Sequence, residues 1–325
     1  MLRCCLLLSS PHCDAENAPV IMKHLETLEF IEAINRAGSI RGAAESLSIT
    51  STALNRRLLA LEEELGAPVF ERLPRGVRLS TAGELLIQHV RTQRADLDRL
   101  RSQISDLKGE RRGHVKVACS QALLPYFMPR EINNYRAEHP LVTFEVNLRD
   151  RYRAERALVA HEADIALVFE PVRLSDVQVL ATAPQPVHAV MSHEHPLAAK
   201  KVIRLSDLST FPVGMPSEEF GVRYLLDIAM RRSAVQIVPG IESDSFEFLR
   251  CYPGPELMVT FQIPIGLPMD DSGPVVSRPI DTRDVPAGVL YLAQMRQRTL
   301  PVAAANFARQ LAQALDVASG RGGHA

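Results

Sequence analysis

Residues 37–66 read AGSIRGAAESLSITSTALNRRLLALEEELG, and the punctuation of this stretch decides the first fold. Gly38 stops a helix over Leu25–Ala37, in which Leu28, Ile31, Ile34 and Ala37 recur at helical spacing while Leu25 and Phe30 widen the apolar face. Ser39 is placed to cap a second helix, Ile40–Leu47, whose Gly42, Ala43 and Ala44 are small enough to let another helix approach closely. After a turn at Ser48–Ile49, Thr50 or Ser51 caps a third helix that turns Ala53, Leu54, Leu58 and Leu61 inward and ends at Gly66. Three short helices joined this tightly form a helix-turn-helix, with the third helix in the recognition position.

Downstream, Val69–Arg72 and Val77–Leu79 flank the turn Leu73–Gly76, which reads as two short strands, a wing. Thr81 and Glu84 have capping-box spacing and open a long, mostly polar helix to about Lys108. Its apolar residues are ordered: Leu86, Val90, Leu97, Leu100, Ile104 and Leu107 form a narrow seam on a 3.5-residue repeat, interrupted at Gln93, and a second copy of the chain is the partner this seam calls for. A polar break at Gly109–Gly113 reads as a hinge. Beyond it the period changes. Strand-like runs at Val115–Cys119, Val142–Leu148 and Ile165–Phe169 alternate with helix-like Gln121–Ala137 and Arg151–His161, the pattern of βαβ units. Further strands are expected at Val187–Met191, Val235–Val238, Leu257–Phe261, Val275–Ser277 and Val289–Ala293, before a final helix over Pro301–Val317. The expected division is a disordered tail at 1–21, the short helices and wing at 22–80, a dimerising helix at 81–109 and an α/β domain at 113–319.

Composition sets bounds without naming a class. With 46% hydrophobic and 23% charged residues, the chain of 325 residues has the make-up of a globular protein of two folding units and not of a disordered or disulfide-built one. The net charge of −1 offers no global attraction for phosphate. Even within 22–80, Lys23, Arg36, Arg41, Arg56, Arg57, Arg72, Arg75 and Arg78 are matched by as many glutamates, so any basic face must be local, with Glu62–Glu64 turned away from it. Of the five cysteines, Cys4, Cys5 and Cys13 crowd the start and Cys119 and Cys251 stand apart, which gives neither a disulfide framework nor a metal spacing. The apolar start, Arg3 before Leu6–Leu8, is shorter than a signal-peptide core, and no run approaches the length of a membrane span, so a cytoplasmic location is expected.

Laid end to end, these pieces resemble the DNA-binding region of LysR-type transcriptional regulators. The likeness rests on Ala37-Gly38-Ser39-Ile40, Ala43-Ala44-Glu45-Ser46-Leu47, Ala53-Leu54-Asn55-Arg56-Arg57-Leu58, Leu61-Glu62-Glu63-Glu64-Leu65-Gly66, Val69-Phe70-Glu71-Arg72 and Leu79-Ser80-Thr81-Ala82-Gly83-Glu84. Ile40 stands where the family usually has Phe, and Ser51-Thr52 where Gln-Pro is common. The resemblance implies a winged helix-turn-helix that binds DNA at 22–80, a linker helix, and a periplasmic-binding-protein-like α/β sensor at 113–319 that binds an effector with two subdomains. His195-Pro196-Leu197-Ala198 and Ser120-Gln121 fit that sensor, whereas Gly254-Pro255-Glu256-Leu257-Met258 departs from its usual glycine-rich segment.

Function follows as a set of expectations. A recognition helix meets bases and phosphates with its N-terminal residues, here Ser51, Thr52, Asn55 and Arg56; Asn pairs bidentately with adenine and Arg with guanine. Ser39 and Arg41, and the wing arginines Arg72, Arg75 and Arg78, are placed to add phosphate or minor-groove contacts, with capping and solvated surface charge as the bland alternatives. In the sensor, Ser120 lies at a strand-to-helix turn where free amides favour a carboxylate, or it is simply a cap; Gln121, Met191, Ser217, Phe220 and Thr260 lie near other strand ends. Cys119 reads as a buried structural thiol. The sensor histidines His139, His161, His188, His193 and His195 lack zinc-hydrolase spacing, and neither a nucleophile elbow nor a phosphate loop is present, so no metal, cofactor or enzymatic activity is expected. The expected partners are promoter DNA, a small anionic effector and a second copy of the chain as dimer or tetramer. The rival class, a secreted solute-binding protein, accounts for the sensor but not for the helix-turn-helix, wing and seam helix.

Overall fold

The computed structural model describes residues 20–107, 112–172, 175–252, 257–268 and 273–318, with the side chains of residues 20–28, 105–107 and 318 left out. The readings made for residues 1–19, for the hinge at 109–111, for Gly254–Glu256 and for the side chains of Leu25, Leu28 and Leu107 lie outside the described residues. The chain divides into two compact units, Met1–Arg94 and Ala95–Ala325.

The first unit runs α1 (Val20–Ala37), α2 (Ile40–Ser46), α3 (Ser51–Leu65), β1 (Phe70–Leu73), β2 (Gly76–Leu79) and the start of α4 (Thr81–Leu107). Helix α1 begins at Val20, two residues inside the stretch expected as tail. Phe30, Ile31, Ile34, Ala43, Ala44, Leu54, Leu58, Val69, Phe70 and Ile87 are buried together, so every element contributes to one small core. Gly38 and Gly66 adopt left-handed φ of 62° and 68°, which ends α1 and α3 without the penalty a Cβ would bring. Helix α4 is capped by Ser80, whose hydroxyl oxygen accepts from the Gly83 amide at 3.0 Å; the cap expected at Thr81 lies one residue too late.

The second unit holds the two subdomains. One is built on the mixed sheet β4-β3-β5-β12-β6, from β3 (Gly113–Cys119), β4 (Val142–Leu148), β5 (Ile165–Phe169), β6 (Val177–Gln185) and, much later, β12 (Gly288–Met295). Strands β4, β3 and β5 run parallel, while β12 lies antiparallel to both β5 and β6. Helices α5 (Phe127–Glu138), α6 (Ala154–Val159) and the C-terminal α9 (Val302–Ala318) belong with this sheet. The chain passes to the second subdomain after β6 and returns before β12. That subdomain holds β7 (His188–Ser192), β8 (Gly214–Pro216), α7 (Gly221–Arg232), β9 (Ile241–Ser243), α8 (Phe246–Cys251), β10 (Thr260–Gln262) and β11 (Val275–Pro279), with β7 central between β10 and β11 and with β8 parallel to β9.

Several expected elements are corrected. The segment Val235–Val238 is irregular and Val238 is 84% exposed; Pro239 and Gly240 interrupt the run and the strand forms just after them, as β9. Strand β6 was missed because it is a sheet edge, where Pro184 is tolerated and the alternation is blurred. Gln121–Ala137 is not one helix: a three-residue 3-10 turn, Gln121–Leu123, precedes Pro125, and α5 starts only at Phe127. Arg151–His161 contracts to α6.

Candidate DNA-reading face and effector cleft

In the first unit, α3 is capped by Thr50, whose hydroxyl oxygen accepts from the Ala53 amide at 3.2 Å. With Leu54 and Leu58 buried, the helical repeat leaves Ser51, Thr52 and Arg56 exposed and Asn55 half-buried on the other side. These are the side chains expected to read bases, and they share one face. Ser39 is a cap first: its oxygen accepts from the Gly42 amide at 3.1 Å. Arg41 pairs with Glu45 at 3.2 Å in full exposure, a contact of little energetic weight that DNA could displace.

The wing pairs Glu71 with Arg78 and Arg72 with Val77 across its strands. Arg78 is held by the Glu71 carboxylate at 2.7 Å, whereas Arg72 and Arg75 are exposed, Arg75 at the tip. Gly76 adopts φ of 100° and lies against the Gly38 carbonyl, which accepts from the Val77 amide at 2.9 Å; a Cβ at Gly76 would collide with that carbonyl. The wing is thereby fastened to the α1–α2 corner. Along α4, Glu32 of α1 holds Arg94 at 2.5 Å and Arg91 at 3.7 Å. Of the expected seam, Val90 is buried within the chain itself and Leu86 and Leu97 are half-buried, whereas Leu100 and Ile104 stand 50% and 44% exposed.

In the second unit a cavity of about 340 Å³ lies between the subdomains, lined by Ser120, Gln121, Arg149, Arg151, Phe169 and Phe220, among others. Its first-subdomain wall is made where the parallel strands end: Ser120 follows β3, Arg149–Arg151 follow β4 and Phe169 closes β5. Ligands of open α/β sheets bind at the carboxyl ends of strands, and that rule applied to β4 would have found Arg149 and Arg151, which sequence reasoning missed. The Ser120 hydroxyl oxygen accepts from the Phe169 amide at 3.1 Å, so it ties β3 to β5 and keeps its O–H as donor. It is not a side-chain cap, and the three-residue turn behind it has no helix dipole of consequence, so the positive charge on this wall is that of Arg149 and Arg151. The Arg151 Nε donates to the Glu170 carbonyl at 2.7 Å, and its guanidinium carbon sits 3.9 Å from the centroid of the Tyr224 ring of α7. The Tyr152 ring lies at 5.6 Å from the same guanidinium carbon, so this buried cation is oriented by a carbonyl and two aromatic rings.

Gln121 bridges the subdomains: its Nε2 donates to the Asp244 carbonyl at 3.2 Å and its Oε1 accepts from the Phe246 amide at 2.5 Å. Phe220 and Phe246 meet edge to face at 5.0 Å on the far wall. Glycines let the walls approach, since a Cβ at Gly221 would come within 2.7 Å of Phe169 and one at Gly266 within 2.8 Å of the Ala122 carbonyl. On the other side of the Gln121–Phe246 bridge a wider hollow of about 980 Å³ is lined by Tyr126, Glu247, Arg250 and Gln262. Met191 and Thr260, expected in the cleft, are instead fully buried and line neither hollow: Met191 sits on the central strand β7 paired with Val276, and Thr260 on the edge strand β10 paired with Val190. Ser217 is half-buried with its amide on the Ser243 carbonyl and lines neither cavity.

Cys119 and three of the sensor histidines are taken up by the fold's own contacts. Burial pushes the Cys119 thiol up to about 12, which suppresses the reactive thiolate. His195 is buried, accepting from the Leu197 amide at Nδ1 and donating from Nε2 to the Leu257 carbonyl at 3.0 Å. His193 meets the Gly273 carbonyl, and His188 bonds Ser277, its pKa lowered to about 4 by burial and by Arg278. Among the described residues no helix is long and apolar enough to cross a membrane.

The comparisons fit this geometry. Residues 25–84 match the bacterial regulatory helix-turn-helix protein of the lysR family, and residues 108–316 match the LysR substrate binding domain. The HTH-type transcriptional activator CmpR of Synechocystis is 25% identical over 226 residues, covering 70% of this chain and 74% of that protein. In fold, the chain is similar to full-length CbnR solved with its target DNA, with a TM-score of 0.61 at 14% identity, covering 88% of this chain and 98% of that one. It is also similar to the effector binding domain of QuiR in complex with shikimate, with a TM-score of 0.54 at 16% identity over 63% of this chain and 98% of that domain. The helix-turn-helix with its wing, the long helix and the two-subdomain α/β unit are accounted for together: this chain belongs to the LysR family of transcriptional regulators.

Proposed function

We propose that this regulator reads its operator with Ser51, Thr52, Asn55 and Arg56 in the major groove and Arg72 and Arg75 on the flanking backbone, and that a small anion in the subdomain cleft controls the outcome. The observation that carries the anion is Arg151, a buried guanidinium at the wall of a cavity of about 340 Å³, with the Ser120 hydroxyl on the same wall. A carboxylate or phosphate there gains charge-assisted hydrogen bonds in a setting with little water to compete. Phe169, Phe220, Phe246 and Ile263 supply an apolar surround for a compact body, and the space between them is narrow, so the walls have to part to admit one.

The working division is that of the sequence: DNA-binding domain at 22–80, dimerising helix at 81–109 and effector domain at 113–319. Two chains join through Leu97, Leu100 and Ile104, so that the pair meets successive half-sites, and the regulator acts in the cytoplasm. It is not an enzyme: the cleft arginines bind rather than transfer protons, and the one cysteine beside the cleft is held as a thiol. The test is a titration of the operator complex with a panel of small carboxylates and phosphates. A responding anion is expected to lose its effect in Arg151→Ala, whereas a cationic effector, or an anionic one indifferent to Arg151, overturns the reading.

A further inference from the structure

Glu62 lies on the recognition helix in a run of three glutamates whose plain reading is a solvated acidic patch, and Glu63 and Glu64 are indeed exposed. Glu62 is engaged otherwise. Its Oε1 accepts from two consecutive backbone amides, Val69 at 2.7 Å and Phe70 at 3.1 Å. The left-handed Gly66 makes this geometry by folding the chain back, so that amides seven and eight residues on face the carboxylate. Val69 is fully buried, and without Glu62 its N–H would lie unpaired in the core. From the opposite side, the Ser80 amide donates to the Val69 carbonyl at 3.0 Å and the Ser80 hydroxyl to the Pro68 carbonyl at 2.5 Å. Gly83 at the start of α4 completes the fit, since a Cβ there would collide with the Val69 carbonyl. The strap Pro68–Phe70 is thus the joint of three elements, with the Glu62 carboxylate fastening it to the recognition helix through charge-assisted hydrogen bonds.

We infer that Glu62 is a positioning residue for DNA recognition: it sets the wing against the recognition helix, so that Arg75 reaches the backbone while Arg56 is in the groove. This rests on the reading that the wing tip touches DNA. A neutral oxygen would hold the same two amides less strongly than a carboxylate does, which makes the charge part of the function. Arg72 follows two residues after Phe70, so loosening of the strap tilts the wing about its remaining hold, the Val77 amide on the Gly38 carbonyl, and shifts its cations while the exposed end of α3 stays in place.

The experiment is a double-mutant cycle in the full-length chain, with a duplex selected by the unmodified protein from a random pool as probe. In the unmodified background Arg75→Ala is expected to weaken binding several-fold and to reduce the slope of log affinity against log salt by about one. In the Glu62→Ala background, already weakened, Arg75→Ala should cost clearly less than in the unmodified protein, whereas Arg56→Ala should cost what it costs there. Glu62→Gln, which keeps one acceptor oxygen, should lie between and serves the same cycle if Glu62→Ala does not fold. Full additivity of Glu62 and Arg75 overturns the inference, as does an equal shrinkage of the Arg56 effect, which would mark general loss of structure. An Arg75→Ala protein that binds normally in the unmodified background instead removes the wing reading, and the inference with it.

Discussion

The two units handle arginine in opposite ways. On the helix-turn-helix, Arg56, Arg72 and Arg75 stand in solvent on local structure, where each cation is cheap to keep and strongly screened. In the cleft, Arg151 is buried against a tyrosine face and a backbone carbonyl, and these fix its direction before any ligand arrives. An exposed cation suits a polyanion whose many phosphates act together, and a buried one suits a single small anion that must be recognised alone. The difference also separates the effects of mutation, because a change in one unit leaves the other's fastenings untouched.

The most complete break is expected from Ser120→Phe. Its ring would fill the cavity and remove the oxygen that holds the Phe169 amide. Response to an identified effector should vanish while operator binding stays as it was; a mutant that still responds places the ligand elsewhere. Next is the seam. With Leu100 and Ile104 both changed to Glu, a dimer formed through α4 has to bury charge, which raises its dissociation constant by at least about a hundred-fold, or about 3 kcal/mol. Sedimentation that shows an unchanged oligomer would move the interface off this helix.

Within the DNA-reading unit, Arg56→Ala is expected to cost about 1–3 kcal/mol of specific binding and to relax the preference at one base pair, as a lost bidentate contact does. An unchanged affinity and sequence preference in a mobility assay would turn this face away from the groove. The effector domain carries a pH signature of its own. His188 titrates near 4 in the fold, against an ordinary 6.5, because burial and Arg278 disfavour its charged form. Below pH 6.5 the unfolded chain takes up a proton that the folded one refuses, so stability present above 6.5 is lost as pH falls towards 4. Solvent reaches part of the ring and screens the difference, leaving a loss on the order of 2 kcal/mol. Thermal melts of His188→Gln should show a shallower fall over that window, and parallel curves would exclude His188 as its source.

What could be read in advance followed the range of the interactions. Ser39, Thr50, Gly38 and Gly66 shape the chain through atoms a few residues away, so the helix-turn-helix was plain from spacing. The cleft is assembled across long sequence separations, Ser120 with Phe169 through the sheet and Gln121 with Phe246 between the subdomains, and of the residues named from sequence Ser120, Gln121 and Phe220 line it. Met191 and Thr260 lie buried away from it: a strand end looks the same in sequence whether it opens on a cleft or is covered by its neighbours. Glu62 escaped because a carboxylate that serves backbone amides carries no mark in composition, and its partners lie beyond the helix repeat.

The smallest expected effect tests the comparison most closely, because it concerns the sign of a change. Arg78 is exposed like Arg75, yet the Glu71 carboxylate opposite it on the wing holds its guanidinium at 2.7 Å. An exposed pair of this kind contributes little to the fold, so neither residue is needed for stability. Near phosphate the two residues are unequal: Glu71 repels the duplex and occupies the cation that would attract it. Glu71→Ala should therefore bind DNA a few-fold more tightly than the unmodified protein, and its affinity should fall more steeply with salt, because a freed Arg78 neutralises an additional phosphate and each one adds about 0.9 to the slope. Arg78→Ala should act in the reverse sense and weakly, since the cation it removes is already paired. Binding isotherms of both variants across a salt series decide the matter. If Glu71→Ala leaves affinity and slope unchanged, Arg78 does not face the DNA, and the wing reaches the backbone through Arg72 and Arg75 alone.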